Sequence, residues 1–179
     1  MMAAMPFAIE LALDADSGRV VRALWRRLAD AGLRFMADSG ADPHVSVAIW
    51  EELDVAEAAI EVASLAAATA PLALSFPEVR TFGDEVVYLA VAASAGLRDL
   101  QARVHAAVGR HGGGSWAHYV PASWLPHCTL AMDLGPGQLA VALAVVRALP
   151  LPLNGHLDRI AIVEFRPVRE RFSQALTGR

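Results

Sequence analysis

Two segments of this 179-residue chain share one short pattern: proline, histidine, any residue, a hydroxyl residue, two further small or aliphatic residues ending in alanine, and a large aliphatic residue. PHVSVAI occupies 43–49 and PHCTLAM occupies 126–132. An imidazole gains and loses its proton near neutrality, so one neutral ring can take a proton while a second, charged ring supplies one. Two such rings, His44 and His127, suit in-line displacement at phosphorus. One would activate an attacking hydroxyl or water, and the other would protonate the departing oxygen. Residues two apart on a strand share a face. Ser46 therefore points with His44, and Thr129 with His127, as donors to the nonbridging phosphate oxygens where negative charge must be held. Ala48 and Ala131 continue those rows and leave room for a ligand. The opposite rows, Val45, Val47 and Ile49 and then Cys128, Leu130 and Met132, are apolar and should pack beneath helices.

The elements that must position these rows are legible from periodicity. Phe7 to Leu13 reads as a strand, with Ile9, Leu11 and Leu13 on one face. Apolar residues at helical spacing predict a helix from about Gly18 to Ala31, ended by Gly32. Turn chemistry at 37–43 leads into the strand HVSVAIWEEL. Asp54 is placed to cap an Ala-rich helix to about Ala68. Two strands follow, Leu72 to Phe82 and Glu85 to Val91, joined at Gly83-Asp84. A helix spans about Gly96 to Arg110, and His111 to Leu125 is a Gly- and aromatic-rich loop. The strand HCTLAMDL comes next, followed by a helix over Gly137 to Leu149. A hairpin of Leu157 to Phe165 with Arg171 to Leu176 closes the chain. Each histidine pattern thus opens a strand–turn–helix–strand unit, the second strands beginning near Pro71 and Pro150. This internal repeat implies two equivalent lobes about a pseudo-twofold, with the His rows facing one cleft.

Other chemistries fit less well. Alternation turns Cys128 away from His127, which removes a Cys–His nucleophile pair and makes Cys128 a small core residue. No HExxH, CxxC or GxxxxGK[ST] pattern occurs, so neither zinc nor a P-loop nucleotide is expected, and no metal or cofactor is assigned. Gly112 to Gly114 read as a flexible stretch. His105 is read as a surface residue, His111 as a helix-end residue, His118 as a loop residue and His156 as structural. A formal charge of −4 argues against duplex DNA as partner, though not against a local basic cleft. One cysteine fits a reducing, cytoplasmic setting, and no segment reads as a signal peptide or membrane span. With 55% hydrophobic residues, the chain can bury a sizeable core.

At PHVSVAI and WLPHCTLAM, and more weakly at VVYLAV (86–91) followed by LRDLQARVHAAV, the chain resembles the two-histidine (2H) phosphoesterase superfamily, in its bacterial 2′-5′ RNA ligase-like branch. The resemblance runs from about residue 5 to 170. It implies an α+β fold of two pseudo-symmetric lobes, each an antiparallel sheet with outer helices, with the active-site cleft between them, so that 1–179 forms a single bilobal domain. It implies that His44 and His127 are the acid–base pair and that Ser46 and Thr129 hold the phosphate, without metal. The implied substrates are RNA ends or small nucleotides carrying 2′,3′-cyclic or 2′-5′ phosphodiesters; some members join RNA ends reversibly. Ser46 stands where threonine is commoner and lacks the methyl that restricts the rotamer. Trp124, Tyr119 and Trp116 are candidates for stacking on a base. The expected molecule is a monomer, and the competing reading is a noncatalytic nucleotide- or RNA-binding module that keeps the cleft. The sequence does not decide which histidine is acid and which is base.

Overall fold

The computed structural model describes residues 5–178. Strand β1 (Phe7–Leu13) buries Ile9, Leu11 and Leu13 on one face, as its alternation requires. Helix α1 (Ala15–Asp30) starts three residues earlier than the apolar spacing suggests. The cause is Asp14, whose carboxylate accepts from the amides of Asp16 and Ser17 at 2.9 Å and so satisfies two orphan donors of the first turn. The first residues of the expected 37–43 turn instead finish a single helical turn, α2 (Phe35–Asp38). Strand β2 (His44–Leu53) and helix α3 (Val55–Ala67), capped by Asp54 onto Ala56 and Glu57, match the reading from sequence.

The segment expected as one strand over Leu72 to Phe82 is two. Pro77 has no N–H for a ladder, and the chain divides there into β3 (Leu72–Phe76) and β4 (Glu78–Phe82), which join different sheets. Strand β5 (Val86–Ala90) pairs β4 through the Gly83-Asp84 turn. Helix α4 (Ala95–Val108) follows. The loop expected from His111 contains an edge strand, β6 (Gly112–Ser115), paired with the end of β2. Its glycines serve close approach rather than flexibility. A Cβ on Gly112 would stand 2.8 Å from the Trp50 ring, and Gly114, at φ +64°, lies against the Glu51 side chain. Strand β7 (His127–Ala131), helix α5 (Gln138–Val146), β8 (Leu153–Glu164) and β9 (Arg169–Ala175) complete the chain. β8 begins at Leu153 rather than Leu157 because its first residues pair with β3. Met132 falls just past β7 and is only partly buried.

The strands form two antiparallel sheets, the larger in the order β3-β8-β1-β2-β6 with β9 also on β8, the smaller β4-β5-β7. Helices α3 and α4 pack on the large sheet, α5 on the small one, and α1 against strands of both. The two layers are therefore tied together: α1, after leaving β1, packs on both sheets, and α4 leaves the small sheet to cover the large one. This crossing holds the sheets together with β2 against β7. Among the described residues no helix is long and apolar enough to cross a membrane.

Candidate active site

The two His strands meet along edges where neither sheet continues. β2 pairs β1 on one side but is joined by β6 only from Trp50 onward, and β7 pairs β5 alone. Carbonyls near a sheet edge still need donors, and here side chains supply them. The Trp25 indole N–H donates to Thr129 O at 3.1 Å, and the Trp124 indole N–H donates to Ser46 O at 3.0 Å. Gln101, buried in α4, donates its amide to Val47 O at 3.1 Å and to Tyr119 O at 2.8 Å. The hydroxyl residues of both patterns thus have their backbones fixed by a tryptophan from outside their own strand. Cys128 is 1% exposed, its thiol reaches the backbone of His44, and burial pushes it up to about 12.

Both imidazoles are held in the same way. His44 Nδ1 lies 2.6 Å from Asp42 O, and His127 Nδ1 lies 2.8 Å from Leu125 O, in each case two residues upstream. A carbonyl only accepts, so Nδ1 is the protonated nitrogen in both neutral rings, and Nε2 is left to exchange protons. The rings are near enough that charge on His44 opposes charge on His127. His44, Ser46, His127 and Thr129 are all half-buried, while Val45, Val47, Cys128 and Leu130 are fully buried, as the alternation requires.

The surroundings of the two rings differ. His44 Nε2 is 3.4 Å from a carboxylate oxygen of Glu10, on the neighbouring β1. Burial raises Glu10 above its ordinary value, opposed by the charge of His44. His127 is enclosed by aromatic rings: Phe82 edge-on at 5.1 Å, Tyr88 at 5.3 Å and Tyr119 at 6.5 Å between centroids. Phe82 and Tyr88 stack on each other at 4.1 Å. Burial lowers His127 below its ordinary value, against the pull of the Leu125 carbonyl, and His44 lowers it further. Tyr119 is partly buried, and desolvation, with the charge of Glu10 acting in the same direction, raises its phenol to about 12.

The three aromatic residues read from sequence as base-stacking candidates are distributed differently. Tyr119 stands at the site. Trp124 is 4% exposed with its N–H committed to Ser46, so it supports the strand and offers no open face. Trp116 bonds Glu51 at 2.6 Å and packs on Phe165, beside the far end of β2. Phe82 and Tyr88 were missed. The signal was present in the β4–β5 hairpin, whose register sets Arg80 opposite Tyr88, and Tyr88 in turn opposite Thr129. Glu10 was missed too, although a carboxylate between Ile9 and Leu11 must face away from the core those residues fill. Of the other histidines, His105 contacts Ser115, His111 lies by Glu61, and His118 and His156 are exposed. A larger open depression of about 940 Å³ holds only His156 among histidines, and its Asp14 is committed to capping α1. Among the described residues no three His, Cys, Asp or Glu side chains gather as a metal site would need.

The fold and the paired strands define a two-sheet protein with a histidine and a hydroxyl residue presented from each side of one junction. The chain belongs to the 2′-5′ RNA ligase superfamily, whose description it matches over residues 17–169, and so to the 2H phosphoesterases. Among solved structures it is similar to Escherichia coli LigT complexed with 3′-AMP, at 15% identity and TM-score 0.56 over 97% of this chain and 98% of that one. It is also similar to a protein described as a phosphoesterase, at 16% identity and TM-score 0.59 over the same shares. E. coli LigT complexed with phosphate superposes with TM-score 0.54 at 16% identity, again over 97% and 98%. Among curated proteins, none matches by sequence.

Proposed function

We propose that this chain, acting as one bilobal domain over 1–179, is a phosphodiesterase for 2′,3′-cyclic phosphate ends of RNA or related cyclic or 2′-5′ nucleotide phosphodiesters. It works by His–His acid–base catalysis without a metal, and attack on the cyclic phosphate by an RNA 5′-hydroxyl in place of water, with the ribose 3′ oxygen leaving, joins a 2′-5′ linkage. The observation that carries this reading is the matched tethering of His44 and His127. Each ring has Nδ1 on a carbonyl two residues upstream, which leaves Nε2 as the nitrogen that exchanges protons, on strands lying against each other.

In hydrolysis of a 2′,3′-cyclic phosphate, one Nε2 takes a proton from water as its oxygen bonds to phosphorus. The bond from phosphorus to one ribose oxygen breaks, and that oxygen receives the proton held on the other Nε2. Ser46 and Thr129 donate to the nonbridging oxygens. Each proton transfer is worth about 10²–10⁴-fold. Phe82, 38% exposed and edge-on to His127, offers the base a face. The nucleotide and phosphate held by E. coli LigT supply a precedent for such ligands on this fold. A buried lone thiol fits a reducing, cytoplasmic setting.

The test is to incubate the purified protein with 2′,3′-cyclic nucleotides and with cyclic-phosphate-ended RNA in the presence of EDTA. Turnover with a bell-shaped pH profile is expected. Binding without turnover would make the cleft a recognition module, and activity lost to EDTA and restored by zinc would overturn the metal-free mechanism.

A further inference from the structure

The open face of the small sheet carries a cation that the acid–base chemistry does not use. On the face that holds His127 and Thr129, the ladder sets side chains in cross-strand rows. One row runs Glu78, Ala90, His127, and the next runs Arg80, Tyr88, Thr129. The opposite face, with Val87, Leu89, Cys128 and Leu130, is core. Arg80 is the only lysine or arginine on these three strands. Neighbouring strands lie about 4.8 Å apart, so two steps put the Arg80 backbone about 10 Å from that of Thr129. Tyr88 stands between them in the register, with Phe82 stacked on it at 4.1 Å. Arg80 therefore lies one side-chain row beyond the phosphate held at the histidines.

The ion-pair partner of Arg80 is Glu78, on the same strand at 2.5 Å, and the two side chains are 54% and 49% exposed. A pair so exposed contributes little to the fold, so a phosphate can take the place of the carboxylate. Across the junction the cations are committed. Arg159 bonds both Asp42 and Glu170, and Arg22 bonds Asp42. The recess beside His44, which holds Asp42, Arg159 and Glu170, thus offers a second phosphate no uncommitted guanidinium.

Resting on the phosphodiesterase reading, we propose that Arg80 binds the internucleotide phosphate on the 5′ oxygen of the nucleotide whose cyclic phosphate lies at His44 and His127. The preferred substrate is then an RNA end, not a free cyclic mononucleotide. Phe82 faces the terminal base, and Arg80, two residues back on the same face of β4, takes the next phosphate. A guanidinium fork matches phosphate oxygens, and such a contact fixes the register of a strand without reading its bases.

Three substrates test this: a 2′,3′-cyclic mononucleotide with a free 5′-hydroxyl, a dinucleotide ending in the same cyclic phosphate, and that dinucleotide with its internucleotide linkage replaced by an uncharged methylphosphonate. Wild type should favour the natural dinucleotide over the mononucleotide by at least about tenfold in kcat/KM, chiefly through KM. The methylphosphonate and Arg80→Ala should each abolish that ratio, and together they should lose no more than either alone. Arg80→Lys should keep part of it. A wild-type ratio near one, a methylphosphonate that performs as well as the natural linkage, or a ratio unmoved by Arg80→Ala would each overturn the assignment while leaving the phosphodiesterase reading intact. Absence of turnover on all three substrates would sink that reading. Calorimetric binding of the product dinucleotide, ending in a phosphate monoester, reads the same contact without turnover. The slope of log Kd against log salt should be shallower by about 0.7 in Arg80→Ala, and an equal slope overturns the proposal.

Discussion

Strands β2 and β7 carry the same pattern with the same local devices, yet they sit in unlike halves of the molecule. In both, a carbonyl two residues upstream holds Nδ1, and an indole N–H from elsewhere in the chain fixes the carbonyl of the hydroxyl residue. β2 belongs to a six-stranded sheet and faces a carboxylate, Glu10. β7 edges a three-stranded sheet and faces Phe82 and Tyr88. The difference teaches that a repeated motif fixes how each imidazole is held, while non-repeated neighbours fix what surrounds it.

The shared part of the comparison is broken most directly at the rings. His44→Ala and His127→Ala should each lower kcat/KM on a 2′,3′-cyclic nucleotide by about 10²–10⁴-fold. The double variant should lose much less than the product of the two, because the pair acts as a unit. A single variant with near wild-type activity would remove that ring from the chemistry.

Next come the tethering tryptophans. Trp25→Phe and Trp124→Phe each leave a carbonyl without its donor, so each should cost about 1–3 kcal/mol in urea denaturation. Equal costs would mark the two devices as equivalent.

The unlike part is sharpened by Phe82→Ala, which removes a ring from the β7 side only. It should raise KM for a cyclic nucleotide by an amount corresponding to about 1–3 kcal/mol, with little change in kcat. Calorimetric binding of the product nucleotide gives an independent reading.

A smaller effect concerns pH. Burial holds His127 below its ordinary 6.5. Below that value the unfolded chain takes up a proton that the folded chain resists, so stability drains away as the pH falls. His127→Gln removes this linkage. Its stability relative to wild type should therefore rise between about pH 7.5 and 5.5, as read from urea midpoints. The smallest effect is expected at Cys128, buried with its thiol pushed up to about 12. It should resist a thiol reagent in the native protein and react fully on unfolding.

Much of this was legible beforehand because local chemistry dictated it. The alternation along β2 and β7 put His, hydroxyl and alanine on one face and aliphatics on the other, and burial follows that division. Asp54 announced α3 by its capping chemistry. Pro77 is a counterexample: a proline inside an alternating run could have marked an edge or a break, and only sheet assignment showed a break. The triple glycine read as flexible is an edge strand because Trp50 and Glu51 occupy the space its side chains would need.

The residues along the chain determined most of the strands and helices, the paired histidine rows and the family to which they belong, since each depends on spacing over a few residues. The tertiary structure decided which strands share a sheet, that Trp124 is a support rather than a stacking face, and that Glu10, Phe82 and Tyr88 stand around the histidines. Those placements join residues tens of positions apart through ladder register and helix crossing. A charge or a ring acts on an imidazole through distance in space, which no local pattern encodes.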